Sequence, residues 1–249
     1  MKDKNKLVTL MSVVLLCAVF IVTALFSSGD DDDSSNKTND KGELNTTELD
    51  KDKADYIIVV DAGHGGVDPG KVGVNGELEK DINLQIATKL KMVLENNKDI
   101  SIKVIMTRES DMGHYSENDS NKKNADMKKR CEIVNNSGAN LLVSIHQNSY
   151  HSESVKGAQV FYYEKSKEGH RLATSIQNQL VSRLVTDGKG RIEKSNDNYY
   201  ILLNVSCPAV IVECGFLSNR DEAVKLSSEE YQQKVAEAVA AGIDEYLKK

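Results

Sequence analysis

Short runs of β-branched and aromatic residues recur along this chain, and the segments between them repeat apolar residues every three or four positions. That alternation restricts it to folds in which strands and helices take turns. Tyr56-Ile57-Ile58-Val59-Val60, Ile102-Lys103-Val104-Ile105-Met106-Thr107, Leu141-Leu142-Val143-Ser144-Ile145, Gln159-Val160-Phe161-Tyr162-Tyr163 and Ala209-Val210-Ile211-Val212 are bounded by Gly, Asn, Asp or Pro and read as strands. Tyr199-Tyr200-Ile201-Leu202-Leu203 reads as a candidate sixth. Helical spacing links Ile82, Ile86, Leu90 and Val93, and again Leu172, Ile176, Leu180 and Leu184. Further helices are expected over Lys122 to Asn136 and over Glu229 to Leu247, the last capped by Ser227-Ser228 with acidic residues in its first turn. The expected architecture is α/β, a three-layer α/β/α sandwich around a mostly parallel sheet of about six strands.

The amino end has a different character. Lys2, Lys4 and Lys6 precede an uncharged stretch from Leu7 to Phe26. At about 1.5 Å per residue that stretch is long enough for a hydrocarbon core of about 30 Å. Lysines before it and acidic residues after it favour an uncleaved anchor with the bulk of the chain outside, and the cleavage-site match at Ser27-Ser28-Gly29 is poor. Asp30-Asp31-Asp32-Asp33 then opens a polar segment that cannot bury enough apolar surface to offset the entropy of ordering. Residues 1–29 are therefore expected to form a membrane anchor or signal segment, 30–55 an acidic linker, and 56–249 one domain outside the cytosol.

Composition narrows the function. The net charge is −6 and the lysines are scattered, so a nucleic-acid partner is not expected. Cys131, Cys207 and Cys214 are odd in number outside the membrane segment and include no CxxC pair, which indicates neither a disulfide framework nor a cysteine metal cluster. There is no tryptophan to build an aromatic glycan-stacking platform.

Chemistry-bearing residues follow the strands. Asp61-Ala62-Gly63-His64-Gly65-Gly66, Ser144-Ile145-His146-Gln147-Asn148-Ser149 and Val212-Glu213-Cys214-Gly215-Phe216-Leu217-Ser218-Asn219 each sit at the carboxyl end of an apolar run, where open α/β sheets gather their ligand-binding groups. His64 and His146 are the natural nitrogen donors to a catalytic zinc, which commonly takes two histidines and one glutamate. Glu79 opens the helix after the glycine-rich loop and is the candidate third ligand, with Glu77 as its local rival. Glu213 suits an unligated acid/base, because a carboxylate closing Ala-Val-Ile-Val is costly to bury without a purpose. His114, His151 and His170 lie in polar surroundings and are expected to be solvent-exposed. Asp111 to Asp126 reads as a polar loop flanking the site.

Rival motifs fare worse. Gly65 to Lys71 fits most of a phosphate-binding loop, but Val72 stands where Ser or Thr should hold magnesium and Pro69 removes a backbone donor. HExxH and GxSxG are absent. No basic neighbour lowers the pKa of Cys214, so it reads as a packing residue rather than a nucleophile.

Taken in order, Val60 to Gly66, Glu79-Lys80-Asp81-Ile82-Asn83-Leu84, Met106-Thr107-Arg108, Ser144 to Ser149 and Val212 to Asn219 resemble the zinc-dependent N-acetylmuramoyl-L-alanine amidases of the amidase 3 type. The resemblance spans about Tyr56 to Tyr246. It implies Zn2+ held by His64, Glu79 and His146, Glu213 as the catalytic acid/base, and Glu79 rather than Glu77, because the family's ligand precedes Lys-Asp-x-Asn-Leu. The implied substrate is peptidoglycan, cut at the amide between N-acetylmuramic acid and the L-alanine of the stem peptide. Lys156 to Tyr163 and Ser195 to Asn204 look like the spore-cortex branch, whose amidases remove stem peptides so that muramic-δ-lactam can form for germination.

Two departures bear on substrate contacts rather than on the metal: Gly188-Lys189-Gly190-Arg191 replaces the family's Asn-Arg-Gly run, and Gln147 stands where alanine is common. Between His146 and Glu213 there is no room for the long occluding insert of division amidases, so control is expected from a protein activator or from the timing of expression. The alternative is a catalytically silent module of the same fold that binds peptidoglycan or a partner.

Overall fold

The computed structural model describes residues 54–248. The expected anchor, and the linker up to residue 53, lie outside the described residues. Among the described residues no helix is long and apolar enough to cross a membrane.

Among the described residues twelve elements follow one another: β1 (Tyr56–Ala62), α1 (Glu79–Glu95), β2 (Ile102–Met106), α2 (Lys122–Asn136), β3 (Leu141–Asn148), β4 (Gln159–Tyr163), α3 (Lys167–Leu184), β5 (Lys194–Asn196), α4 (Tyr200–Asn204), β6 (Ala209–Phe216), α5 (Arg220–Leu226) and α6 (Glu229–Leu247). The strands form one six-stranded sheet in the order β2-β1-β3-β6-β4-β5. β1, β2, β3 and β6 are mutually parallel where they pair, and β4 meets β6 antiparallel and carries β5 beside it. The carboxyl ends of β1, β3 and β6 consequently open at one end of the sheet, the geometry that gathers a site there.

Strand alternation sorts the core into two layers. Ile58, Val60, Leu141, Val143, Ile145, Val210 and Val212 pack against α1, α3 and α6, while Val59, Leu142, Ala209, Ile211 and Phe161 pack against α2 and α4. The central strands are buried on both faces, which is why they read as near-continuous apolar runs. On the first face α3 and α6 approach closely at Gly242, where a Cβ would stand 2.4 Å from the Ile176 Cα. Helix starts follow local chemistry: the Ser228 hydroxyl accepts the Tyr231 N–H (3.3 Å) and Ser166 accepts that of Gly169 (3.0 Å), each satisfying an end group without an intrahelical partner.

The sixth strand is not where the sequence pattern suggests. Tyr200–Asn204 forms the short helix α4, burying Ile201 and Leu202 against the α2 side while Tyr200 and Leu203 face out. The sixth strand is the polar segment Lys194–Asn196, a short edge strand that pairs only with β4. At an edge one ladder of backbone hydrogen bonds is enough, and a charged side chain there is useful rather than costly. Cys131, Cys207 and Cys214 are free thiols.

Candidate metal centre

The turn after β1 carries His64 in the left-handed region (φ 61°), the only non-glycine residue with positive φ among the described residues. Such a conformation persists only where its surroundings fix it. Two buried arginines do so. Arg130 of α2 donates to the carbonyls of Ala62 (2.7 Å) and His64 (2.6 Å), and to the carboxylates of Asp61 (2.7 Å) and Asp126 (2.7 Å). Arg108, just beyond β2, donates to the carbonyls of Ala62 (2.8 Å), Gly63 (3.0 Å) and Lys80 (2.7 Å). Asp61 also accepts the hydroxyls of Thr107 (2.6 Å) and Ser144 (2.5 Å). Burial alone would raise its pKa, but the Arg130 charge and these hydroxyls hold it well below the usual carboxylate range.

Glu79, the first residue of α1, lies beneath this turn and is 4% exposed. Its Oε1 is 3.2 Å from His64 Nε2 and 3.0 Å from His146 Nδ1, the latter rising from β3. Its Oε2 accepts the Lys71 N–H (2.7 Å), and Oε1 also accepts the Gln147 N–H (3.1 Å). Ligand atoms of His64, Glu79 and His146 all lie within 4.8 Å of one another. Burial pushes Glu79 toward its neutral form, but hydrogen bonds and charges from both imidazoles dominate and keep it ionised. For His146 burial disfavours the charged form, and the contact with Glu79 more than reverses that. Two nitrogens and one carboxylate oxygen this close together form a donor set that fits a divalent transition metal.

Gly63 gives this arrangement room: a Cβ there would stand 2.2 Å from the His146 ring. Glu213 projects from β6 as the register partner of His146 and is buried, with its Oε2 lacking any hydrogen-bond partner. Burial pushes its carboxyl up to about 7; the positive His146 opposes that shift, Glu79 reinforces it and His64 also opposes it. His64, Glu79, His146 and Glu213 share a cleft of about 310 Å³ with an apolar wall that includes Met127, Ile201 and Ile211.

The four residues singled out from the sequence thus lie around one cleft. Glu77 instead turns away to the amide groups of Asn75, its Oε1 2.9 Å from Nδ2. His151 and His170 are exposed. His114 is not: it is half-buried, with Nε2 2.7 Å from the Thr107 carbonyl and its N–H donated to Asp126 (2.7 Å). A polar neighbourhood in sequence concealed a packed position in space. The loop beyond β2 does flank the site, for Asp111 accepts the Gly66 N–H (2.8 Å) and Lys80 Nζ (2.7 Å). Burial raises the Cys214 pKa far above the range of a reactive thiol, in keeping with a packing role. Sequence reasoning gave no role to Asp68, whose Oδ2 lies 2.9 Å from His64 Nδ1, or to Arg130. The only signal for Asp68 was its spacing of four residues from His64 within a glycine-rich turn.

Residues 58–245 match the family described as N-acetylmuramoyl-L-alanine amidase (Amidase_3). The chain is 39% identical over 194 residues to a germination-specific N-acetylmuramoyl-L-alanine amidase of Bacillus subtilis (strain 168), a match covering 77% of this chain and 79% of that protein. Its structure is similar to that of the CwlD amidase from Clostridioides difficile, solved in complex with the GerS lipoprotein, with 40% identity, a TM-score of 0.73 and coverage of 78% of this chain and 98% of that one. An N-acetylmuramoyl-L-alanine amidase from Clostridium difficile 630 is similar at 34% identity and a TM-score of 0.68, over 78% and 97% of the two chains.

Proposed function

This chain belongs to the N-acetylmuramoyl-L-alanine amidase family, and from that premise we propose that it is a zinc enzyme of the spore cortex, removing stem peptides from peptidoglycan so that muramic-δ-lactam can form. The observation that carries the metal reading is the convergence of His64 Nε2 and His146 Nδ1 on Glu79 Oε1, at 3.2 and 3.0 Å, beside the unpartnered carboxylate of Glu213. The cortex reading rests on the likeness to the germination-specific and CwlD amidases.

His64, Glu79 and His146 would hold the zinc, which when bound would supply Lewis acidity toward the amide carbonyl and lower the pKa of water. Glu213 takes a proton from the attacking water and returns it to the nitrogen of L-alanine as the C–N bond breaks. Burial raises the affinity of this carboxyl for a proton, which suits it to both tasks. Glu79 is held by the N–H groups of Lys71 and Gln147, which favour its ionised form. The apolar wall at Met127, Ile201 and Ile211 limits water around the reacting amide.

In the same reading Leu7 to Phe26 carries the domain outside the cytosol and tethers it to the membrane through the acidic linker, as the flanking charges favour. A protein partner belongs to the same reading, for the similar CwlD amidase was solved in complex with the GerS lipoprotein. Mass spectrometry of purified cortex treated with the zinc-loaded full-length chain tests the activity, with the candidate partner supplied. Free peptides beginning with L-alanine are expected, whereas intact muropeptides would refute it.

A further inference from the structure

The three candidate ligands are held in three different ways. His146 is fenced by Gly63, where any side chain would meet the ring. Glu79 is fixed by backbone N–H groups of Lys71 and Gln147. His64 lies against Gly70, where a Cβ would stand 2.7 Å from its Cδ2, and its ring nitrogens meet only carboxylates. Its ring has one edge toward Glu79 and the other toward Asp68, with Nδ1 2.9 Å from Asp68 Oδ2.

Asp68 is itself well placed for that contact. Gly65 and Asp68 exchange backbone hydrogen bonds in both directions, at 2.9 and 3.1 Å, closing a tight loop that sets the carboxylate beside the imidazole. The second carboxylate oxygen accepts the Gly70 N–H (3.2 Å), and Lys123 Nζ reaches Oδ2 from α2 at 3.3 Å. The loop is closed by backbone groups and the Asp68 side chain is 27% exposed, so folding makes little demand on the carboxylate.

We propose that Asp68 is a positioning residue that accepts the Nδ1 proton of His64, fixing the tautomer and ring orientation in which Nε2 faces the metal. This rests on the zinc reading above. An imidazole offers a metal one nitrogen only when the proton sits on the other, and a carboxylate behind the ring holds it there and makes the free nitrogen a better donor. Nothing else among the described residues is hydrogen-bonded to Nδ1.

The test measures zinc affinity of the purified full-length wild-type and Asp68→Asn chains by competition with a fluorescent chelator, alongside the melting temperature of the metal-free proteins. Long-range 1H–15N spectra of the histidine rings in the zinc-loaded proteins complete it. Asparagine keeps the size and the Gly70 contact but removes the charge. Expected are a loss in zinc affinity of about 10- to 100-fold, an unchanged metal-free melting temperature, and an Nδ1–H signal of His64 that weakens or shifts in the variant. Wild-type affinity with an unchanged His64 signal would overturn the proposal. A metal-free melting temperature that falls together with affinity would overturn it as well, by showing a structural role. A wild-type chain that takes up no zinc would instead refute the metal reading itself.

Discussion

His146 and Glu213 are register partners across the parallel β3–β6 ladder, so their side chains leave the same face of the sheet at its carboxyl end. That pairing sets a buried, unpartnered carboxylate beside the candidate metal site without making it a member of the cluster of three. Glu213→Gln keeps the volume and removes the proton acceptor. Release of stem peptides is expected to fall by about 10²- to 10⁴-fold with zinc content unchanged. Loss of zinc in this variant, measured by metal analysis, would make Glu213 a ligand instead.

Gly63 is the next position to test. Its backbone is not in the left-handed region, so Gly63→Ala isolates the collision of the added Cβ with the His146 ring at 2.2 Å. A displaced ligand ring is expected to cost about 10²-fold in activity, with a normal circular dichroism spectrum. Near-wild-type turnover would show that His146 has room to retreat.

How much of this was legible depends on what each residue touches. The central strands announced themselves because both faces are buried, and α1, α3 and α6 because one stripe of each must be. The edge strand β5 was missed because Lys194-Ser195-Asn196 has no apolar face to show, and Tyr199 to Leu203 looked extended because aromatic and branched residues also suit a short buried helix. Helix α5 went unread although Asn219 caps it by accepting the Glu222 N–H (3.0 Å). Single residues at the ends of apolar strands could be weighed, whereas the arginine clamp could not: Arg130 meets Asp61 from 69 positions away, a contact that only the fold creates.

Arg130 also has a measurable share in stability. Removing it strands the carboxylates of Asp61 and Asp126 and the carbonyls of Ala62 and His64. Arg130→Met is expected to cost about 3–5 kcal/mol, read from denaturant unfolding of the metal-free protein. A cost below about 1 kcal/mol would place the pair among weak surface bridges.

The same network sets an acid limit. Burial opposes ionisation of Asp61, yet Arg130 and the two hydroxyls hold its folded pKa below the unfolded value of about 3.9. Its ionised form therefore stabilises the fold above that value, and the contribution fades as pH falls toward the lowered folded pKa. The melting-temperature gap between wild type and Asp61→Asn is expected to be constant above about pH 5 and to narrow below about pH 4. A gap independent of pH throughout would remove ionisation of Asp61 from the account.

Away from the site, Gly242→Ala forces α6 away from the Ile176 backbone of α3, because the close approach of the two helices leaves only 2.4 Å between an added Cβ and the Ile176 Cα. A loss of about 1–3 kcal/mol is expected with turnover per folded molecule preserved. A parallel fall in turnover at full folding would tie the α3–α6 packing to the cleft.

The most direct measurement is anomalous X-ray diffraction at the zinc edge from crystals of the zinc-loaded protein. One peak is predicted, about 2.0–2.2 Å from His64 Nε2, His146 Nδ1 and a Glu79 oxygen, with Glu213 beside it and unligated. A peak coordinated elsewhere, or a site that stays dark at full zinc loading, would contradict the account.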